Sequence, residues 1–136
     1  MKLLIDTNII LDAMMNREPW AGQAQEIILA IAEDKAEGCI TASSFTDIHY
    51  TLRKYLGDKE RTKQALLGLL IVVDVLDVTG LDCEKAFELP MPDYEDALLA
   101  YCGKRHKVDK IITRNLKHFE GSPVEAVLPE EILKSL

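Results

Sequence analysis

The sequence predicts an α/β protein: a Rossmann-like central parallel sheet of four to five strands with helices on both faces. Three observations lead there. Short runs rich in Leu, Ile and Val (KLLID, GCIT, VVDVLDV, KIIT) recur along the chain, and each is followed by a longer segment of helical period. Each intervening segment is long enough for the right-handed crossover that a parallel pair requires. With 136 residues, 48% of them apolar and 29% charged, the chain has the balance of one globular domain spanning residues 1–136.

Taken in order, residues 2–6 read as a buried strand ending at Asp6, and residues 8–16 as a short helix behind it. Pro19 suits the first turn of the next helix. Its apolar stripe is Trp20, Ala24, Ile27, Ile28 and Ile31, which makes Trp20 a core or subunit-contact residue. Residues 38–41 form the second strand, after which Ser43 or Ser44 is placed to cap a helix. That helix buries Phe45, Ile48, Leu52, Tyr55 and Leu56, and leaves Ser44, Asp47, Thr51 and Lys54 on an adjacent polar stripe. Asp58 caps a further helix carrying Leu66, Leu69 and Leu70. The β-branched residues of 72–78 predict a strand. Thr79 with Asp82 has the form of a capping box for a helix up to Glu88, which Pro90 and Pro92 end. Asp93 caps a helix reaching Lys107, residues 110–113 and 124–128 are the last strands, and Pro129 opens a terminal helix.

Composition excludes several classes. Cys39, Cys83 and Cys102 are odd in number and set among apolar residues, which argues for buried thiols in a reducing compartment and against a disulfide framework. No signal segment is visible, and the longest apolar run, 65–73, is about half of what a bilayer needs. A cytoplasmic protein is expected. The formal charge of −7 argues against a broad nucleic-acid-binding face but leaves room for a local one. Arg53, Lys54, residues 104–107, Lys110, Arg114 and Lys117 would make a basic rim around an acidic centre if their elements meet; otherwise they are solvated helix faces.

The chemistry must come from acids. There is no G-x-G-x-x-G, no Walker loop and no Ser in a nucleophile elbow. His49, His106 and His118 read as isolated, and Cys102 with His106 lacks the second ligand pair that zinc requires. Asp6, Asp47, Asp93 and Asp96 each fall near the carboxyl end of a strand or the start of the following helix, where parallel sheets gather their ligands. Asp93 also reads as an ordinary N-cap, and Asp96 as a complement to the helix dipole. Carboxylates sharing a crevice repel one another and need a cation or raised pKa values to coexist. Such hard oxygen ligands suit Mg²⁺ or Mn²⁺, which bind phosphate oxygens, so a phosphodiester is the expected substrate class. Arg114 and the 104–107 run are then expected to steer its backbone.

Three ordered blocks carry a resemblance: LIDTNIILD at 4–12, PDYEDALLAYC at 92–102 and IITRNLKHF at 111–119. In that order and spacing, with the closing VLPEEIL, they resemble PIN-domain proteins, particularly the VapC-type toxins of toxin–antitoxin pairs. The resemblance implies a metal-dependent endoribonuclease that acts on RNA, with a small antitoxin as partner and a homodimer as assembly. It implies that Asp6 is the first metal-binding acid, Asp47 the central one and Asp96 the third, and that Asn8 and Thr113 line the site. Two departures are visible. Asp47 stands where Glu is common and is a methylene shorter, and Asn115 stands where many members carry a fourth acid. Asp93, one turn before Asp96, is the acid available to make up the missing charge. The alternative is a PIN-fold module that binds RNA or protein without cutting. An Asp-nucleophile phosphohydrolase would want Asp at position 8, where Asn8 stands, and a response-regulator receiver would want an acid pair and a late Lys that are absent.

Overall fold

The computed structural model describes residues 1–136. Five strands, β1 (Lys2–Ile5), β2 (Glu37–Thr41), β3 (Asp74–Leu76), β4 (Lys110–Ile112) and β5 (Ala126–Val127), form one sheet. Its order is β3-β2-β1-β4-β5, and every pairing is parallel. Six helices lie between them and a seventh follows β5: α1 (Thr7–Met14), α2 (Ala21–Ala32), α3 (Ala42–Leu56), α4 (Lys59–Val72), α5 (Gly80–Ala86), α6 (Tyr94–Arg105) and α7 (Pro129–Leu133). A 3₁₀ turn covers Leu116–Phe119.

Alternation along the strands builds a core on each face of the sheet. Leu3, Ile5, Ile40 and Ile112 pack with Ile10, Ile27, Ile48 and Leu66 on one side. Leu4, Cys39 and Ile111 pack with Leu99 and Ala100 of α6 on the other. The expected α/β sandwich with helices on both faces is therefore observed.

Several local expectations need correction. The cap of α3 is Thr41, not Ser43 or Ser44: Thr41 Oγ1 accepts from the Ser44 amide at 3.2 Å, because the last strand residue keeps the extended backbone an N-cap needs. Residues 72–78 are mostly not strand. The leucine run of α4 carries the helical ladder to Val72, and the Val73 amide still bonds to Leu69 O, so only Asp74–Leu76 is free to pair. At the sheet edge β5 contracts to Ala126–Val127. Pro19 lies in a turn and α2 starts at Ala21, while α6 stops at Arg105. Tyr55 is exposed, off the stripe formed by Ile48 and Leu52, and Cys83 is exposed although Cys39 and Cys102 are buried.

The remaining caps are as predicted. Asp58 Oδ1 accepts from the Arg61 amide at 3.1 Å, and Thr79 and Asp82 form both bonds of a capping box at 3.1 and 2.9 Å. Asp82 is fully buried because Arg105 clamps it with two bonds of 2.8 Å, and this pairing holds its carboxyl down at about 2. Cys102 donates to that same carboxylate at 3.5 Å, while His106 turns to Asp77 at 3.0 Å. The two residues four apart do not converge on a metal.

Candidate active site

The chain leaves β1 for β2 on one side and later returns to place β4 on the other, so a crevice opens outside the carboxyl ends of β1 and β4. A cleft of about 580 Å³ lies there. Asp6 directly follows β1 in extended conformation, at the N-cap position of α1, and its side chain makes no cap bond. The carboxylate instead meets β4: Thr113 Oγ1 donates to Asp6 Oδ2 at 2.8 Å, and the Asn115 amide donates to Thr113 Oγ1 at 3.1 Å. The buried Thr113 hydroxyl thus accepts from the Asn115 amide and directs its own proton at Asp6. Burial raises the Asp6 pKa above the ordinary carboxylate value, against the lowering effects of Thr113, the Thr7 amide, Arg114 and His118.

Asp96 reaches the same cleft from the first turn of α6, where Asp93 fixes the backbone by accepting from the Asp96 amide at 3.0 Å. Its pKa is pushed up to about 6, first by burial, then by the charges of Asp6 and Asp93, with His118 opposing. Asp47 faces the cleft from α3, one turn beyond Ser43 and Ser44 and one turn before Thr51. Asn8 and Asn115 also line it.

The predicted residues thus divide. Asp6, Asp47, Asp96, Asn8 and Asn115 line one cleft, with Thr113 buried behind Asp6. Asp93 is the N-cap of α6 and stands outside the lining. Arg114 also turns away: its Nε and Nη2 donate to Asp12 at 2.7 and 3.1 Å, and its guanidinium stacks on the Trp20 ring at 3.8 Å. Trp20 is accordingly neither core nor free surface but 42% exposed under that stack. The basic rim does not assemble from the 104–107 run. Helix α6 runs antiparallel to the strands, so Lys104 and Arg105 lie roughly 12–14 Å along its axis from Asp96, toward the amino edge where Lys2 Nζ donates to His106 O.

Two features escaped the sequence reading. His118 is not isolated: its Nδ1 lies 3.0 Å from Asp96 Oδ2. Asp12 is a fully buried carboxylate shared by Arg114 and Arg17. Both pairings join residues far apart in sequence. The only local hint was an Asp inside an apolar helix, where an acid needs a partner.

No three His, Cys, Asp or Glu side chains stand close enough together to share one ion. The Asp6 and Asp96 carboxylates are nevertheless a hard, all-oxygen pair whose repulsion a cation relieves. Hydrated Mg²⁺ typically takes one or two carboxylates and completes its shell with water and phosphate oxygens. The donor set fits such an ion.

A parallel α/β sheet with an acidic cleft at its switch point is the class that fold and site define. Within it, a family model described as PIN domain matches residues 2–117, and the chain belongs to that family. No curated protein matches it in sequence. Among solved structures it is similar to VapBC2 from Rickettsia felis bound to a DNA fragment from their promoter, at 18% identity and a TM-score of 0.68, covering 94% of this chain and 98% of that one. A toxin–antitoxin complex from Klebsiella pneumoniae matches at 22% identity and 0.68, covering 93% and 97%. Mycobacterium tuberculosis VapC20, a sarcin-ricin-loop-cleaving toxin, matches at 16% and 0.63, covering 80% and 86%. These likenesses establish the fold.

Proposed function

We propose that this chain is an endoribonuclease that hydrolyses RNA phosphodiester bonds with water and Mg²⁺ or Mn²⁺, as the toxin of a toxin–antitoxin pair. The observation that carries the reading is the convergence of Asp6 and Asp96 on one cleft, with Asp96 raised to about 6 by burial and by the charge of Asp6. Asp6 and Asp96 would hold the ion, with Asp47 reaching it across the cleft through water. A bound divalent ion supplies Lewis-acid polarisation of the phosphate and a more acidic water. The protein's own groups supply position. Thr113 orients the Asp6 carboxylate, His118 holds Asp96 Oδ2, and Asp93 acts through the helix turn it caps. Asn8 and Asn115 offer neutral donors to phosphate oxygens without adding charge. An antitoxin partner is supported by the likeness to VapBC2 and to the Klebsiella toxin–antitoxin complex, and a homodimer is proposed on the family resemblance. The buried thiols Cys39 and Cys102, whose pKa values burial pushes up to about 12, suit the cytoplasm, and no helix is long and apolar enough to cross a membrane.

A second reading, a PIN-fold module that holds RNA or a protein without cutting, is favoured by the absence of a three-acid cluster. One experiment separates the two. Purified protein is incubated with RNA and Mn²⁺, with and without chelator, beside Asp6→Asn. Cleavage is expected only in wild type with metal, with the variant reduced at least 100-fold. Wild type that binds RNA without cutting it establishes the module. Cleavage that persists in the variant or in chelator assigns the activity elsewhere.

A further inference from the structure

Asp12 is fully buried, and Arg114 alone matches it, with two bonds of 2.7 and 3.1 Å in the fork geometry that suits a carboxylate. A second guanidinium, Arg17, stands 3.6 Å from Asp12 Oδ1. Two cations around one carboxylate leave a positive charge in excess, and Arg17 carries it. Its side chain is 29% exposed and lines the cleft, where it is the one permanent cation among Asp6, Asp47, Glu95 and Asp96. Its other side-chain contact is a long bond of 3.4 Å to Asn8 Oδ1. A guanidinium offers five N–H donors, so most of the fork is open. The backbone beneath it is clamped: the Arg17 amide donates to Asp12 O at 3.1 Å, and Arg17 O accepts from Trp20 and Ala21 at 3.1 and 2.7 Å. The side chain is therefore anchored beside the cleft at a fixed backbone position.

From this geometry we propose that Arg17, assisted by the Asn8 amide, is a phosphate-binding subsite that grips the RNA backbone independently of any metal. The inference rests on the ribonuclease reading and deepens it. With Arg114 occupied by Asp12 and the 104–107 run at the far edge, Arg17 is the lysine or arginine that lines the acidic cleft and can meet a polyanion inside it.

The test is fluorescence anisotropy of a labelled single-stranded RNA in chelator across a salt series, paired with cleavage kinetics in Mn²⁺. Arg17→Ala should weaken binding about 10-fold and lower the slope of log affinity against log salt by about 0.7, the value of one single-strand phosphate contact. KM should rise more than kcat falls. Arg17→Lys should keep the slope and lose part of the affinity, because a point charge replaces the fork. Lys35→Ala, at the opposite edge, should change neither. The melting temperature of Arg17→Ala should stay near wild type, since Arg114 still matches Asp12. If Arg17→Ala does not fold, Arg17→Lys and Asn8→Ala decide, each expected to weaken binding several-fold. Wild type that binds or cuts RNA while Arg17→Ala keeps the same affinity, slope and KM overturns this inference alone, as does an equal loss in Lys35→Ala. Wild type that neither binds nor cuts RNA overturns the ribonuclease reading with it.

Discussion

Asp96 sits 18% exposed between a buried neighbouring acid and an imidazole, and its pKa of about 6 is a statement about stability as well as chemistry. The folded chain binds this proton more tightly than the unfolded chain, whose carboxyl titrates near 3.8. The contribution of Asp96 to metal-free stability is therefore greatest below that value, falls as pH rises toward about 6, and stays reduced above it. Asp96→Asn removes the cost of burying this charge and its repulsion with Asp6, and should stabilise the metal-free protein at pH 7 by on the order of 1–2 kcal/mol, a few degrees in Tm. Calorimetry at pH 7 and pH 4 checks this. The gain should vanish at pH 4, and a variant no more stable than wild type at pH 7 would mean that neither burial nor Asp6 penalises the Asp96 charge. Asp6 and Asp96 were legible in the sequence because both stand at element boundaries, where strand ends and first helical turns face the cleft. His118 was not, since its contact with Asp96 depends on how the 3₁₀ turn packs beside α6, and no local spacing encodes that.

Among the elements, the tie between α1 and the segment after β4 carries the most weight. Asp12 presents a charge to the interior that local propensity would not place there, and Arg114 reaches it across 102 positions of sequence. Removing one partner of a buried pair strands the other, at a cost of about 3–5 kcal/mol. Arg114→Ala should therefore lose on the order of 3 kcal/mol in urea unfolding, while Arg17→Ala, whose contact is longer and partly solvated, should lose under about 1 kcal/mol. Equal losses would mean that the two arginines share the charge equally. Helix starts at Asp58, Thr79 and Asp93 were legible because a cap is a bond within three residues. The boundary between α4 and β3 was not. Val72 and Val73 favour strand by propensity, yet the hydrogen-bond ladder of a preceding helix extends over them. Arg114 was misplaced for a related reason: its sequence neighbours Thr113 and Asn115 belong to the site, but consecutive residues leaving a strand point to opposite sides.

Across the whole molecule, a charge of −7 is distributed so that it opposes its proposed substrate at the cleft. The layering was readable from alternating strand and helix periods, but strand order was not, and it is the order β3-β2-β1-β4-β5 that sets Asp6 beside Thr113 and gathers the acids. The basic residues of α6 end at the other edge, where Arg105 is consumed by Asp82 and Asp77. At physiological salt a charge is screened within about 8 Å, so cations roughly 12–14 Å away offset little of the field of Asp6, Asp47, Glu95 and Asp96. RNA should then bind wild type weakly in chelator, and removing one cleft charge should strengthen binding even though it abolishes cleavage. Asp96→Asn is expected to bind a labelled single-stranded RNA several-fold more tightly than wild type in chelator at 50 mM salt, with the two affinities converging as salt rises to 500 mM. Anisotropy titrations at both salts measure it. A variant that binds no better at low salt would place the RNA outside the reach of these carboxylates and remove the electrostatic reason for a divalent ion between them.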